Sequence, residues 1–235
     1  MPPKLKKKKT STAKKLINPK DYPLGYHYVI GHFRKVVSGF LTWVHEHFAK
    51  NPGHQPELDR DSIEKLVREE NTTKSQKIGK ICGFKEHEEL DPMIHFWLDY
   101  WKKQGLSFPS KLTPRIIKAM IAKESSFDPR SQAKNSSARG LMQIKKETRD
   151  VLAGKKNKNG YRELKNYNII VSSKDLFDPN INVACGIRWI SHKFKLIPKK
   201  MEKNLFNTLK NYNDWKKNGE SYAKEILALS EKKCP

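Results

Sequence analysis

Glu124 ends a strongly apolar stretch that begins at Pro114, and Ser125 follows it. Nineteen residues later comes Gln143, inside Gly140-Leu141-Met142-Gln143-Ile144, and Tyr212 and Asn213 return much further on. An acid joined by amides and a phenol from distant segments suits proton transfer to a glycosidic oxygen in a sugar-cleaving cleft.

The element that must position the acid is a helix. Thr113-Pro114 reads as its start, with Thr as N-cap and Pro in the first turn. Ile117, Met120, Ile121 and Glu124 then share one face, expected to be the core face. Arg115, Lys118 and Lys123 are expected on the opposite side. A carboxyl on the core face loses hydration and sits near the negative end of the helix dipole. Both effects raise its pKa and favour the protonated acid. Taken alone, the helix reads more simply as carrying a Glu that bends out to solvent.

Four runs bear on that choice. Glu124-Ser125-Ser126-Phe127-Asp128-Pro129 resembles the opening motif of the soluble lytic transglycosylases, goose-type-lysozyme-like enzymes that cut peptidoglycan. Ala138-Arg139-Gly140-Leu141-Met142-Gln143-Ile144 resembles their second motif, with Thr148 where a threonine usually follows. The run from Leu176 to Gly186 resembles the third, and Asn211-Tyr212-Asn213 the fourth; Tyr222 falls where a later tyrosine is common. Departures are a slightly longer loop between Glu124 and Gly140, Asp214-Trp215 after the fourth motif, and a Lys/Asn-rich insertion over 154–174.

The resemblance implies a single glutamate, Glu124, that performs both proton transfers. It would protonate the oxygen between N-acetylmuramic acid and N-acetylglucosamine, then take the proton of the muramic C6 hydroxyl as a 1,6-anhydro ring closes. Ordinary glycosidases need two carboxylates about 5 to 9 Å apart. The nearest candidates for a second are Asp128, Glu147 and Asp150, and Asp128, before Pro129, reads as a turn cap. A hydrolytic lysozyme using one of them stays open. The resemblance also implies that Gln143 and Tyr212 bond the substrate or orient Glu124. Met142 would line the sugar floor, Asn213 would contact an acetamido group, and Ser125 would bond nearby backbone. Met142 and Tyr212 read also as core residues. A buried phenol needs a partner, so the Tyr212 hydroxyl is expected to point at the site. No cofactor and no metal is expected, and the partner is the peptidoglycan glycan strand.

The net charge is +23 and unevenly spread. Residues 1–20 hold eight Lys and no acid, residues 21–112 balance, and residues 113–235 carry 27 basic against 12 acidic side chains. Such a protein is drawn to anionic polymers in a salt-dependent way. Nucleic-acid binding is therefore the rival from another class, although no zinc-finger spacing, phosphate-cradling loop or RNA-binding signature appears. Residues 1–20 read as a disordered tail available for polyanion contact.

Cys82, Cys185 and Cys234 do not form a disulfide framework, and Cys185 reads as packing. No apolar run spans a membrane, and no apolar segment follows the basic start. The expectation is synthesis in a bacterial cytoplasm without a signal peptide, then delivery to the wall by phage, lysis or a secretion system. Oligomeric state is left open by the sequence.

Residues 26–48 are rich in aromatic and β-branched residues around Ser38-Gly39, a β-hairpin signal with two arms that echo each other. Five of the eight His (27, 32, 45, 47 and 54) lie in or beside it, at spacings that match no zinc pattern. Residues 50–60 read as a linker and Asp61 to Glu70 as a helix capped by Asp61. Asp91-Pro92 starts a helix whose Ile94, Trp97, Leu98 and Trp101 read as core. The expected organisation is a tail (1–20), a small N-terminal region with the hairpin (21–90), and a mostly α, lysozyme-like domain (91–235). Its later helices are expected near 114–124, 141–152, 180–195, 202–212 and 220–231.

Overall fold

Aromatic and β-branched residues over 26–50 produce two strand pairs. In the computed structural model, which describes residues 26–29, 31–35, 41–50, 57–73, 80–81, 83–84, 87–213 and 218–231, the chain divides into two units, Met1–Pro56 and Glu57–Pro235. The Lys-rich tail, the Ser38-Gly39 turn, Cys82, Cys234 and Asp214-Trp215 lie outside the described residues. In the first unit β1 (Tyr26–Val29) pairs antiparallel with β4 (His47–Lys50), and β2 (His32–Lys35) with β3 (Leu41–Val44). Both ladders keep one register, so they are inner and outer parts of one hairpin. Phe33 and Trp43 are cross-strand partners whose rings meet edge to face at 4.9 Å, and both are exposed.

The second unit is mostly helical and lysozyme-like. Its helices are α1 (Arg60–Thr73), α2 (Asp91–Lys103), α3 (Pro114–Ser125), α4 (Lys146–Leu152), α5 (Pro179–Lys195), α6 (Leu205–Asn213) and α7 (Gly219–Ser230). Helix α5 is the central element, continuously buried from Ile181 to His192, and α2, α4 and α6 pack on it. Its start is set by Asp178, whose carboxylate accepts from Ile181 N at 3.1 Å, and by Pro179 in the first turn. Helix α3 lies against α2 and α7. Thr113 caps it by accepting from Ile116 N, and Ser126 at φ 50° ends it in a left-handed turn. The aromatic stripe of α2 is core: Ile94, Trp97, Leu98 and Trp101 are buried. Trp97 Nε1 donates to Asn180 and Trp101 Nε1 to the Ala184 carbonyl, so each indole N–H is satisfied on α5.

Four sequence expectations are corrected. Residues 57–60 are not linker. Leu58 is buried because β5 (Leu58–Asp59) pairs in parallel with β6 (Ile169–Ile170), a partner more than a hundred residues away. The cap of α1 is Asp59, which accepts from Ser62 N at 2.8 Å, and not Asp61. Helix α4 begins at Lys146 and not near 141. Gly140 (φ 74°) and Gln143 (φ 46°) adopt left-handed backbone, and Arg139 bridges Ile144 instead of entering a helix. Lys118 is fully buried, although periodicity assigns it to the solvent side of α3. Its ammonium donates to Asp91 at 2.5 Å, and Asp91 also accepts from Ile81 N at 2.8 Å. The helix is covered on a second face by the segment leading into α2, which periodicity alone does not reveal.

Candidate active site

Helix α3 presents Glu124 in its last turn at the wall of a cavity of 410 Å³. Helix α7 supplies Tyr222, whose hydroxyl donates to Glu124 Oε1 at 2.7 Å. With Oε1 occupied by the phenol, Oε2 is the oxygen left to carry a transferable proton. Helix α6 supplies Tyr212, stacked on the Tyr222 ring at 6.3 Å with an interplanar angle of 10°. The Tyr212 hydroxyl donates to the Met142 carbonyl at 3.1 Å. It is thus a strut between α6 and the Gln143 loop, with its ring on the cavity wall. Burial first, then the nearby Glu124 charge, pushes both phenols well above their ordinary range, so they stay protonated as donors.

The Gly140–Gln143 loop is held from below by Asn182 of α5. Its Oδ1 accepts from Met142 N at 2.7 Å, and its Nδ2 donates to the carbonyls of Arg139 and Leu176 at 2.8 and 2.7 Å. Asn182 is fully buried, and a Cβ at Gly140 would collide with it, so glycine serves both the close approach and the positive φ. The Met142 side chain is fully buried against Gly186, where a Cβ would meet its sulfur. It lies in the core and is not part of the cavity lining. Gln143 does line the cavity. Its Nε2 donates to the carbonyls of Ser131 and Gly140, which leaves Oε1 as an acceptor for a ligand. Ser125 is buried and donates to the Ile121 carbonyl at 3.1 Å, within its own helix. Asn213 is exposed at the cavity edge, and Thr148 also lines it.

Among the described residues Glu124 is the only carboxylate in the cavity lining. Asp128 accepts from Arg130 N in a turn, Glu147 is exposed, and Asp150 is paired with Lys155 at 2.6 Å. Burial raises the Glu124 pKa above the ordinary glutamate range. The Tyr222 hydrogen bond and the charges of Lys145 and Lys123 oppose it without cancelling it. Lys145, Trp189 and Lys193 also line the cavity, and sequence reasoning missed them. The signal available for two of them is spacing: Trp189 and Lys193 stand four apart on α5 and share a face. The Lys193 ammonium lies 4.6 Å from the Trp189 ring centre.

The Tyr222 bond to the acid has a measurable consequence. Because that bond lowers the Glu124 pKa, Tyr222→Phe is expected to raise it further. The alkaline limb of the pH–rate profile, which reports loss of the acid's proton, then moves to higher pH. The rate at the optimum falls about tenfold or more, since the lost bond is to an ionisable group. An unmoved alkaline limb would show that the phenol does not act on the acid.

The fold thus sets one half-buried, tyrosine-bonded glutamate in a polar cavity, an arrangement able to hold a proton for transfer. The family model of the transglycosylase SLT domain matches residues 100–228, and the chain belongs to that family. No curated protein matches the chain. The family's activity is lytic transglycosylase action on peptidoglycan. No described helix is long and apolar enough to cross a membrane.

Proposed function

We propose that the protein cleaves the β-1,4 bond between N-acetylmuramic acid and N-acetylglucosamine in peptidoglycan, with Glu124 as its only acid and base. Glu124 gives its proton to the glycosidic oxygen as the bond from that oxygen to the anomeric carbon breaks. The resulting carboxylate accepts the proton of the muramic C6 hydroxyl as O6 bonds to the same carbon. Glu124 is thereby restored, and the product is a 1,6-anhydro sugar. Gln143 Oε1 and Asn213 bond the sugar's polar groups, and Tyr222 orients the acid.

The observation that carries this reading is the cavity's lone carboxylate among the described residues, raised in pKa by burial and bonded by Tyr222. A retaining or inverting hydrolase of the usual two-carboxylate kind needs a second carboxylate facing the first. Ring closure from the substrate's own hydroxyl needs none. The net charge of +23, which includes the eight Lys of residues 1–20, favours approach to the anionic wall after delivery to it. The test is release of soluble muropeptides from purified sacculi. Wild type is expected to release them and Glu124→Gln is not. Equal release by both would overturn the assignment.

A further inference from the structure

Three charged side chains line the cavity among the described residues: Glu124, Lys145 and Lys193. Two cations are unexpected in a glycan-cleaving site. The N-acetyl sugars of the glycan are neutral, and the transition state of glycosidic cleavage is oxocarbenium-like and positive. Neutral sugar does not call for ammonium groups, and a positive transition state is opposed by them.

The Lys193 side chain and the backbone leading to Lys145 are held in place. Lys193 rests over Trp189, which is only 8% exposed and itself packs on His192 with ring centres 5.0 Å apart. Asn211 of α6 donates to the Lys193 carbonyl at 2.8 Å, tying this turn of α5 to the helix that carries Tyr212. Lys145 follows Ile144, whose N–H and carbonyl both bond Arg139, so the backbone leading to it is fixed. The anions that a peptidoglycan strand brings to such a cavity are the carboxylates of the stem peptide on the muramic lactyl group.

We propose that Lys145 and Lys193 form an anion subsite for stem-peptide carboxylates, so that the enzyme selects peptide-bearing strands over denuded ones. The proposal rests on the glycan-cleaving reading and specifies its substrate. It also gives the cations a use at the acid. Lys145 pulls the Glu124 pKa down, against the needs of a general acid. A carboxylate bound at Lys145 offsets that pull and leaves the acid protonated when the right substrate is present.

The test compares kcat/KM on peptide-bearing strands, on strands stripped of peptide by an amidase, and on peptide-bearing strands with chemically amidated carboxylates. Wild type is expected to favour the first by about three- to tenfold over each of the others, the range of one or two partly screened ion pairs. Lys145→Gln with Lys193→Gln narrows that ratio toward one, and the Lys→Arg pair restores it. Equal wild-type kcat/KM on all three substrates overturns the subsite while leaving the glycan-cleaving reading intact. So does a Gln pair that keeps the wild-type ratio, or a preference that follows teichoic-acid phosphate on the strands and not peptide. Inactivity of wild type on all three overturns both.

Discussion

Glu124→Gln is expected to lower cleavage of peptidoglycan by roughly 10²- to 10⁴-fold, the share that general acid–base catalysis supplies. The amide keeps the shape of the side chain and its oxygen still accepts from Tyr222, so the loss is chemical. A stability measurement separates this from damage to the fold. Burial raises the Glu124 pKa in the folded protein, which means that ionising it costs folding free energy. That cost is absent below the unfolded value, about pH 4.3, and is complete once the pH has risen through the folded value. Glutamine carries no such cost. The variant should therefore be at least as stable as wild type at neutral pH, with any gain vanishing in acid. A variant that is inactive because it is unfolded, with a lower melting temperature at neutral pH, would contradict this account.

The second large effect lies at the buried pair below the site. Lys118→Ala is expected to destabilise the protein by about 3–5 kcal/mol, because it leaves the Asp91 carboxylate buried without its cation. Asp91 and Lys118 are both almost fully buried, and their bond joins the start of α2 to the helix that carries Glu124. The double change Asp91→Asn with Lys118→Met should recover most of that loss. The introduced amide keeps an acceptor for Ile81 N, and the thioether chain fills the space of the lysine stem. Denaturant titration reads both: the midpoint falls for the single variant and returns for the double, with slopes unchanged. A single variant within about 1 kcal/mol of wild type would show that the pair is not a determinant of the fold.

Much of the site was legible in local pattern. The stripe of Ile117, Met120, Ile121 and Glu124 identified the face of α3 that carries the acid, and Thr113-Pro114 its start. The hairpin was legible because its two arms are rich in aromatic and β-branched residues and echo each other. What escaped depends on partners distant in sequence. Leu58 is buried by Ile169, and Lys118 by Asp91, pairings that no periodicity encodes. Leu141 and Ile144 fit a helix on paper, yet Asn182 on α5 holds Gly140 and Met142 in a bridge-forming loop. The expectation that Tyr212 aims its hydroxyl at the site rested on a buried phenol needing a partner. The partner exists, but it is the Met142 carbonyl, while Tyr222 reaches the acid. Lys145 and Lys193 escaped because single lysines in so basic a chain carry little information until a cavity brings two of them beside an acid.

The single-acid mechanism makes one demand that no hydrolase shares: the oxygen finally bonded to the anomeric carbon comes from the substrate's own O6 and not from water. Digestion of purified sacculi in ¹⁸O-enriched water, followed by mass spectrometry of the muropeptides, tests this directly. The account predicts muramic termini one water lighter than the reducing sugar, in the 1,6-anhydro form and free of ¹⁸O. Reducing muramic termini bearing ¹⁸O at the anomeric carbon would contradict it and show that water, not O6, bonds to that carbon.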